Sequence, residues 1–168
     1  MNSTEIMNKY DNLYKERTLP MSETCMCWGL SVGDGWLPLI DKVSSMLNSP
    51  VYSSTISLKD GDDYIMFHYK YPYVVMKQVK EKFGLLRIYY ECEFPEINNL
   101  PKHIKELPEN KIKLNDIVSK SYSYVDGVID FAEHLSGTIC EVCGEDGELR
   151  EGSWSKTLCD EHWKEQKR

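Results

Sequence analysis

The sequence predicts an α+β fold in which a small sheet packs against helices and the chain ends in a separate small module. Three observations support this prediction. Apolar residues recur every three or four positions over 34–47 and 124–135, as in amphipathic helices. They alternate with polar residues over 85–91, as in a half-buried strand. Two pairs of metal-ligating residue types lie between 140 and 162.

Composition and charge limit the classes of function. The 168-residue chain has a formal net charge of −7. This argues against a general polyanion binder, because affinity for a phosphate backbone comes from clustered lysine and arginine. The sequence has no apolar run of membrane-spanning length, and its first ten residues lack the apolar centre of a signal peptide. We therefore expect a cytoplasmic protein that binds neither a membrane nor a nucleic acid polymer.

Residues 1–32 are interpreted as an N-terminal segment outside the main domain. A marginal helix and a loop are expected, because Pro20 would end any helix formed there. Cys25 and Cys27 occupy alternate positions, which would face the same side of an extended strand. Free cysteine is most often buried, so we interpret both as small buried residues and not as a second metal site.

Residues 33–136 are predicted to form the α+β core domain, which opens with a helix. Asp34 is a plausible N-cap, and Pro38 is tolerated only in the first turn. The N-terminal amides of this helix could hold an anion, although an ordinary capped start is the favoured interpretation. The apolar stripe of the helix consists of Trp36, Leu39, Ile40, Val43, Met46 and Leu47.

A hairpin is predicted next. Segments 51–58 and 63–69 are rich in β-forming residues and flank Asp60-Gly61, a dipeptide typical of turns. The two strands are therefore expected to pair with each other.

A helix and a strand are predicted to follow the hairpin. Over 74–83 the apolar residues stand at helical spacing, and Gly84 is placed to end a helix in the left-handed conformation. From 85 to 91 the period changes to two, which predicts a strand. One face of that strand would carry Leu86, Ile88 and Tyr90.

The second half of the core domain is predicted to contain one irregular and one regular part. Residues 95–120 hold three prolines and little periodicity, so we expect an exposed excursion. Residues 124–135 carry an apolar stripe, and Gly137 would end that helix just before the first metal-ligating cysteine. The helix is therefore expected to join residues 137–168 to the core.

A zinc site is predicted within residues 137–168. Cys140-x-x-Cys143 and Cys159-x-x-His162 are separated by fifteen residues, and each two-residue spacing lets both side chains of a pair converge on one ion. Four protein ligands close a tetrahedral coordination sphere, which leaves no position for an activated water. We therefore expect a structural zinc in a treble-clef-like or ribbon-like module packed on the core.

The most uneven charge in the chain indicates a possible ligand site. Between residues 70 and 87, five lysines and arginines face one glutamate. In a helix Lys77 and Lys80 would share a face, and cations with aromatic neighbours suit a small anionic ligand such as a nucleotide. A solvated helix face with core tyrosines is the open alternative. The candidate ligand-binding residues are Trp36, Lys77, Lys80, Arg87 and Tyr89.

Catalysis is not the favoured interpretation. The sequence shows no matched acid–base pair and no phosphate-binding glycine loop. His68 could pair with Cys25, Cys27 or Cys92 as base and nucleophile, but their spacing does not require it.

Four stretches follow one another in a fairly specific order. They are Gly35-Trp36-Leu37-Pro38-Leu39-Ile40, Gln78 to Gly84 with Leu86-Arg87-Ile88-Tyr89-Tyr90, Ala132-Glu133-x-x-Ser136-x-Thr138-x-Cys140-Glu141-x-Cys143-Gly144, and Trp154-x-x-Thr157-x-Cys159-x-x-His162. In this order the chain resembles, over roughly residues 33–162, a family of uncharacterised bacterial and phage proteins with a C-terminal CxxC...CxxH zinc-binding motif. The chain departs from the family in two places. The turn after Phe83 has one glycine where family members often have two, and the excursion at 95–120 is longer than in the family.

The resemblance implies zinc ligation and a unified domain, and no established activity. Phage members of such a family imply a role acting on the host, for instance sequestering a nucleotide immune signal. The sequence thus leaves two functions open. The first is a non-enzymatic binding protein for a small anionic ligand. The second is an adaptor or inhibitor that docks on a host protein through the zinc module or residues 95–120.

Overall fold

A computed structural model describes residues 2–48, 52–71, 73–152 and 154–166. The first residue of the predicted N-terminal segment (1), the first residue of the predicted strand 51–58 (51) and the last two residues of the predicted C-terminal module (167–168) lie outside the described residues. The fold is α+β, as predicted, with small sheets and several helices. In chain order the elements are α1 (Ser3–Lys9), β1 (Leu30–Ser31), α2 (Leu37–Leu47), β2 (Tyr52–Asp60), β3 (Asp63–Tyr71), β4 (Tyr73–Lys82), β5 (Leu85–Glu93), α3 (Pro95–Asn98), α4 (Lys102–Glu106), α5 (Pro108–Ser136), β6 (Glu148–Arg150), β7 (Lys156–Leu158) and α6 (Asp160–Gln166).

The central sheet has the strand order β1-β4-β5. Strand β1 runs parallel to β4, and β4 is antiparallel to β5 with a bulge between Met76 and Gln78. The turn between β4 and β5 is Phe83-Gly84, and both residues are left-handed, with φ of 56° and 78°. Two consecutive left-handed residues are the geometry that a two-residue hairpin turn favours, because it matches the twist of the strands.

The helix predicted over 74–83 is therefore wrong. Val74, Val75 and Met76 are consecutive and all buried, as in a strand covered on both faces at this end, and β-branched residues favour strands. The helical spacing of Val75, Val79 and Phe83 is coincidental. The left-handed Gly84 is confirmed, but it closes a hairpin and does not end a helix.

Residues 2–32 pack into the main core, where they contact side chains of the predicted core domain. Seven of their side chains join the core cluster: Ile6, Met7, Tyr10, Leu13, Tyr14, Met26 and Leu30. Helix α1 begins with a capping box, in which Asn2 Oδ1 accepts from the Glu5 amide (2.9 Å) and Glu5 Oε2 accepts from the Asn2 amide (2.8 Å).

The free cysteines are placed differently from the prediction. Met26–Trp28 is a 3₁₀ turn and not a strand, and it leaves Cys25 exposed and Cys27 half-buried. Just before this turn, Thr24 Oγ1 accepts a hydrogen bond from the Met26 amide at 3.0 Å, which favours a local bend of the chain. Cys92 is buried in the core, and burial raises the pKa of its thiol to about 12.

Helix α2 starts without a side-chain cap, so Asp34 is not its N-cap. Asp34 instead lies in a 3₁₀ turn, Asp34–Trp36, that leads into the helix. Pro38 lies in the first turn, as predicted. The predicted helix over 124–135 is confirmed as the C-terminal part of α5, which is 29 residues long.

The hairpin of β2 and β3 is confirmed, with Gly61 left-handed at its turn (φ 62°). Residues 95–120, however, are not an exposed excursion. They form α3, α4 and the start of α5, because the prolines occupy the first turns of helices or their caps. These helices cover the hairpin and create a second core cluster of Leu58, Phe67, Tyr69, Ile104, Leu114 and Ile117.

Helix α5 also covers the edge of β5. Ser136 Oγ accepts a hydrogen bond from the Leu86 amide at 2.9 Å, and Glu133 Oε1 accepts one from the Ile88 amide at 2.8 Å. The second Glu133 oxygen accepts from Arg87 Nη1 at 3.0 Å. Two backbone donors at the sheet edge are thereby satisfied by helix side chains, which also blocks further strand pairing there.

None of the helices in the described part of the chain combines the length and hydrophobicity that a membrane span needs.

Replacing Ser136 by alanine should lower the free energy of unfolding by about 1–3 kcal/mol, because the buried Leu86 amide would lose its acceptor. Urea unfolding of the metal-loaded protein measures this. Ser123→Ala is the matched control on the same helix, since Ser123 is exposed and bonds only to the Ser119 carbonyl within α5. Equal stability of the two variants would contradict the role assigned to Ser136.

Candidate metal centre

The C-terminal module brings the two predicted ligand pairs together by a hairpin and a helix. Cys140 and Cys143 bracket a turn that directly follows α5. Strands β6 and β7 then form an antiparallel hairpin. Cys159 lies between β7 and α6, and His162 is in the first turn of α6, where the Trp163 amide donates to the Cys159 carbonyl at 3.0 Å. The hairpin thus returns the chain so that the second pair faces the first.

The ligand atoms of Cys140, Cys143, Cys159 and His162 all lie within 4.8 Å of one another. Cys143 Sγ is 3.9 Å from Cys159 Sγ, and His162 Nδ1 is 3.5 Å from Cys140 Sγ and 3.1 Å from Cys159 Sγ. A tetrahedral ion with bonds of about 2.0–2.3 Å separates two sulfurs by about 3.8 Å and sulfur from nitrogen by about 3.5 Å. The cluster is compatible with a metal site that uses all four side chains.

The surroundings of Cys140 favour the thiolate form, which is the form that binds metals. Burial acts to raise the pKa of this thiol. The backbone amides of Cys159, Cys143 and Val142 outweigh burial and lower the pKa to about 6. The neighbouring Cys159 sulfur raises the pKa of His162.

The turn at Cys140 docks against the loop that precedes α2. The Gly35 amide donates to the Glu141 carbonyl at 2.9 Å, and the Gly33 amide donates to Glu141 Oε1 at 3.2 Å. A Cβ at Gly35 would overlap the Cys140 carbonyl oxygen, and one at Gly33 would overlap the Glu141 carbonyl oxygen. Both glycines are therefore required by the close approach of two backbones.

Two further contacts fix the module to the core. The Trp36 indole donates to the Ile139 carbonyl at 2.8 Å, and its ring is fully buried. Buried Thr157 donates from Oγ1 to the Gly84 carbonyl at 2.6 Å, while its own carbonyl accepts from the Glu141 amide at 2.9 Å. The β4–β5 turn and the loop before α2 thus hold the module from two sides.

Glu141 carries a buried carboxylate oxygen at this interface that accepts no hydrogen bond. Its Oε2 is buried without a hydrogen-bond partner, and Lys156 Nζ is 3.9 Å away. Burial raises the pKa of the carboxyl group, while the positive charge of Lys156 opposes that rise.

The structure does not bring the five candidate ligand-binding residues together. Trp36 is fully buried and serves the module interface, so it is unavailable to a ligand. Lys77 lies at the β4 bulge, where it forms ion pairs with Glu16 and with Glu91. The helix face that Lys77 and Lys80 were predicted to share does not exist, because β4 is a strand.

Arg87 is also engaged, since Glu133 binds its guanidinium. Lys80 and Tyr89 do lie together: Lys80 Nζ is 5.2 Å from the centre of the Tyr89 ring. Lys82 Nζ similarly lies 5.3 Å from the centre of the Phe83 ring. Lys82 and Phe83 were not among the candidate ligand-binding residues, because residues 74–83 were predicted to form a helix. The signal that could have identified the hairpin was Gly84 between two β-rich segments, although phenylalanine is unusual at the first left-handed position of such a turn.

His68, which the sequence left open as a possible base for a cysteine, contacts a threonine. Its Nδ1 lies 2.6 Å from Oγ1 of Thr55, its neighbour across the β2–β3 hairpin. Cys92 belongs instead to the core of the central sheet.

Comparison with known proteins identified no match: no family model, curated protein or solved structure resembles the chain significantly. The resemblance to the bacterial and phage family therefore stays a prediction.

Gly35→Ala should lower the free energy of unfolding by about 2 kcal/mol or more, because the new methyl group would push the Cys140 turn out of its seat. Chemical denaturation of the metal-loaded protein measures this. Gly127→Ala is the matched control, since a Cβ at that helical position meets nothing within 4 Å. It should stabilise α5 by up to about 1 kcal/mol. A Gly35→Ala protein as stable as wild type would contradict the docking described above.

Proposed function

We propose that this protein is a non-enzymatic, zinc-stabilised binding protein that takes up a small anionic ligand of nucleotide type on the outer face of the β4–β5 hairpin. One observation carries the proposal. Lys80 and Lys82 each lie over an aromatic ring, and both rings are accessible to solvent, with Tyr89 45% and Phe83 71% exposed. We call Lys80, Lys82, Phe83 and Tyr89 the hairpin face.

Strand geometry supports a ligand at this surface. Lys80 stands opposite Arg87, and Gln78 stands opposite Tyr89. The alternate residues Val79 and Ile88 point into the core. Successive side chains of a strand point to opposite faces, so the lysines and Tyr89 are directed outward.

Charge supports it as well. The ion pairs between described residues engage Lys77 and Arg87 with carboxylates, but none of them involves Lys80 or Lys82. An incoming anion would meet ammonium groups that no carboxylate of the described chain neutralises. The binding set of the proposal therefore keeps Lys80 and Tyr89 and adds Lys82 and Phe83. It omits Trp36, Lys77 and Arg87, which the fold engages elsewhere.

The residue types indicate the ligand class. Lysine ammonium groups suit phosphate oxygens, and exposed aromatic rings suit stacking of a flat base. A small nucleotide offers both groups within the span of a short hairpin. The net charge of −7 disfavours a long polyanion, since its phosphates would approach many carboxylates beyond the hairpin face.

Zinc is the ion we assign to the metal centre. Three thiols and one imidazole in tetrahedral spacing suit zinc, and four protein ligands leave no position for an activated water. A hairpin between the ligand pairs, followed by a ligand-bearing helix, favours a treble-clef-like over a ribbon-like module. By analogy with zinc-finger peptides, the ion would contribute about 10 kcal/mol or more of folding free energy.

Purified wild-type protein should contain one zinc ion per chain, and Cys143→Ser should lose it, because the site would keep three of its four ligands. Atomic absorption measures the metal content, and circular dichroism should show the loss of helical signal. Cys25→Ser is the matched control, since Cys25 is an exposed free cysteine and should leave the zinc in place. Full zinc retention in Cys143→Ser would sink the assignment.

Ligand binding at the hairpin face is tested by a thermal-shift and calorimetry panel of mononucleotides, cyclic dinucleotides and ADP-ribose derivatives. For a ligand that stabilises the wild type, Lys80→Ala should weaken binding about tenfold through loss of a charge-assisted hydrogen bond. Lys111→Ala, which removes an exposed lysine of α5, should bind normally. A compound recovered unchanged after long incubation supports binding without catalysis. A panel without any shift would overturn the proposal.

The biological setting is a proposal of its own. Sequestration of a nucleotide immune signal by a phage protein rests on the resemblance to the bacterial and phage family and on the ligand class that the hairpin face suits.

An adaptor or inhibitor that docks on a host protein is the second candidate. The observation that favours it is the zinc module's exposed apolar surface, in which Trp154 is 66% and Val142 48% exposed. Residues 95–120 are a weaker docking element, because Ile104, Leu114 and Ile117 are buried against the hairpin of β2 and β3. A nucleotide panel without shifts would leave this candidate as the preferred one.

A further inference from the structure

The three cysteines of the metal centre differ in how far solvent reaches them. Cys143 is exposed, Cys159 is half-buried and Cys140 is fully buried. Backbone amides of Val142, Cys143 and Cys159 surround the Cys140 sulfur, whereas the Cys143 sulfur faces the amide of Glu145. Amide hydrogen bonds stabilise a thiolate and make it a weaker nucleophile. Cys143 is therefore the cysteine of this centre that a dissolved oxidant reaches first.

A second sulfur lies close enough to react with an oxidised Cys143. Cys159 Sγ is 3.9 Å from Cys143 Sγ. A disulfide bond is about 2.05 Å long, so the two sulfurs would have to approach each other by about 2 Å. Neither cysteine lies in a helix or a strand, so a shift of this size breaks no helical or sheet hydrogen bond of either residue.

We propose that Cys143 is an oxidation site for hydroperoxides, at which a disulfide bond to Cys159 forms and the zinc ion is released. This inference rests on the zinc assignment proposed above. Cysteine binds zinc as a thiolate, which is also the form of cysteine that reacts with peroxides.

The reaction with hydrogen peroxide has two steps. The Cys143 thiolate attacks one peroxide oxygen, so that an S–O bond forms, the O–O bond breaks and hydroxide leaves. The Cys159 thiolate then attacks the sulfur of the resulting sulfenic acid, so that the S–S bond forms, the S–O bond breaks and a second hydroxide leaves. The two thiolates together lose two electrons, which the peroxide gains. Only Cys140 and His162 remain as ligands of the centre, and two protein ligands are too few for a structural zinc site.

Oxidation at this position would act on both contacts that hold the module to the core. The Cys140–Gly144 turn is seated by the hydrogen bond from the Gly35 amide to the Glu141 carbonyl. On the other side, Thr157 donates to the Gly84 carbonyl. That carbonyl belongs to the β4–β5 turn, which also carries Phe83 of the hairpin face. The oxidation site is thus linked to the proposed ligand surface through one hydrogen bond.

Peroxide treatment of the zinc-loaded, full-length protein in thiol-free buffer tests the proposal. The chromogenic chelator 4-(2-pyridylazo)resorcinol measures released zinc, and mass spectrometry of unreduced peptides locates the disulfide. The bound zinc should be lost while a Cys143–Cys159 disulfide accumulates, and dithiothreitol with added zinc should reverse both changes. Cys25→Ser should behave like the wild type, since Cys25 is exposed but lies outside the metal centre.

Cys143→His removes the exposed thiol and keeps four potential zinc ligands, so it should release zinc about tenfold more slowly than the wild type. If this variant does not bind zinc, the peptide map of the wild type decides the matter. Retention of zinc by the peroxide-treated wild type, a disulfide that includes Cys140, or zinc release without a disulfide would each overturn the inference alone. Purified protein that holds no zinc before treatment would instead overturn the zinc assignment, and this inference with it.

Discussion

The contact between the Cys140–Gly144 turn and the Gly33–Gly35 loop is the constraint on which the rest of the structure depends. Two backbones approach so closely that glycine is required on the core side. Next to this contact, the Trp36 indole donates a hydrogen bond to the Ile139 carbonyl. A metal ion that fixes the turn would also fix the surface on which α2 begins. A metal bound by these four side chains would therefore be coupled to the packing of the core through this contact.

Helix α5 connects this contact with both core clusters. Its C-terminal turn satisfies the edge of β5 through Glu133 and Ser136, and Cys140 follows four residues after its end. Its N-terminal turns cover the hairpin of β2 and β3 through Leu114 and Ile117. The two core clusters are thus joined by one long helix, which explains why residues 95–120 are ordered against the hairpin.

Ion pairs within the protein also determine which basic side chains remain available to a ligand. Arg87 is bound by Glu133, and Lys77 is bound by Glu16 and Glu91, so the most basic stretch of the sequence is partly neutralised. The hairpin face lies at the turn end of β4. It is an open surface of lysines and aromatic rings.

The sequence by itself determined the features that local chemistry encodes. Each Cys-x-x-Cys or Cys-x-x-His pair, the Asp60-Gly61 turn and the period-two pattern after Leu85 act within a few residues. The sequence therefore predicted that Cys140, Cys143, Cys159 and His162 lie together, and it predicted the turn and the strand. Only the tertiary structure decided the rest. Residues 74–82 became a strand because β1 and β5 pair with them, and residues 2–32 joined the core because distant apolar surfaces were available. Which lysines keep an open charge depended on carboxylates far away in sequence, and no local pattern contains that information.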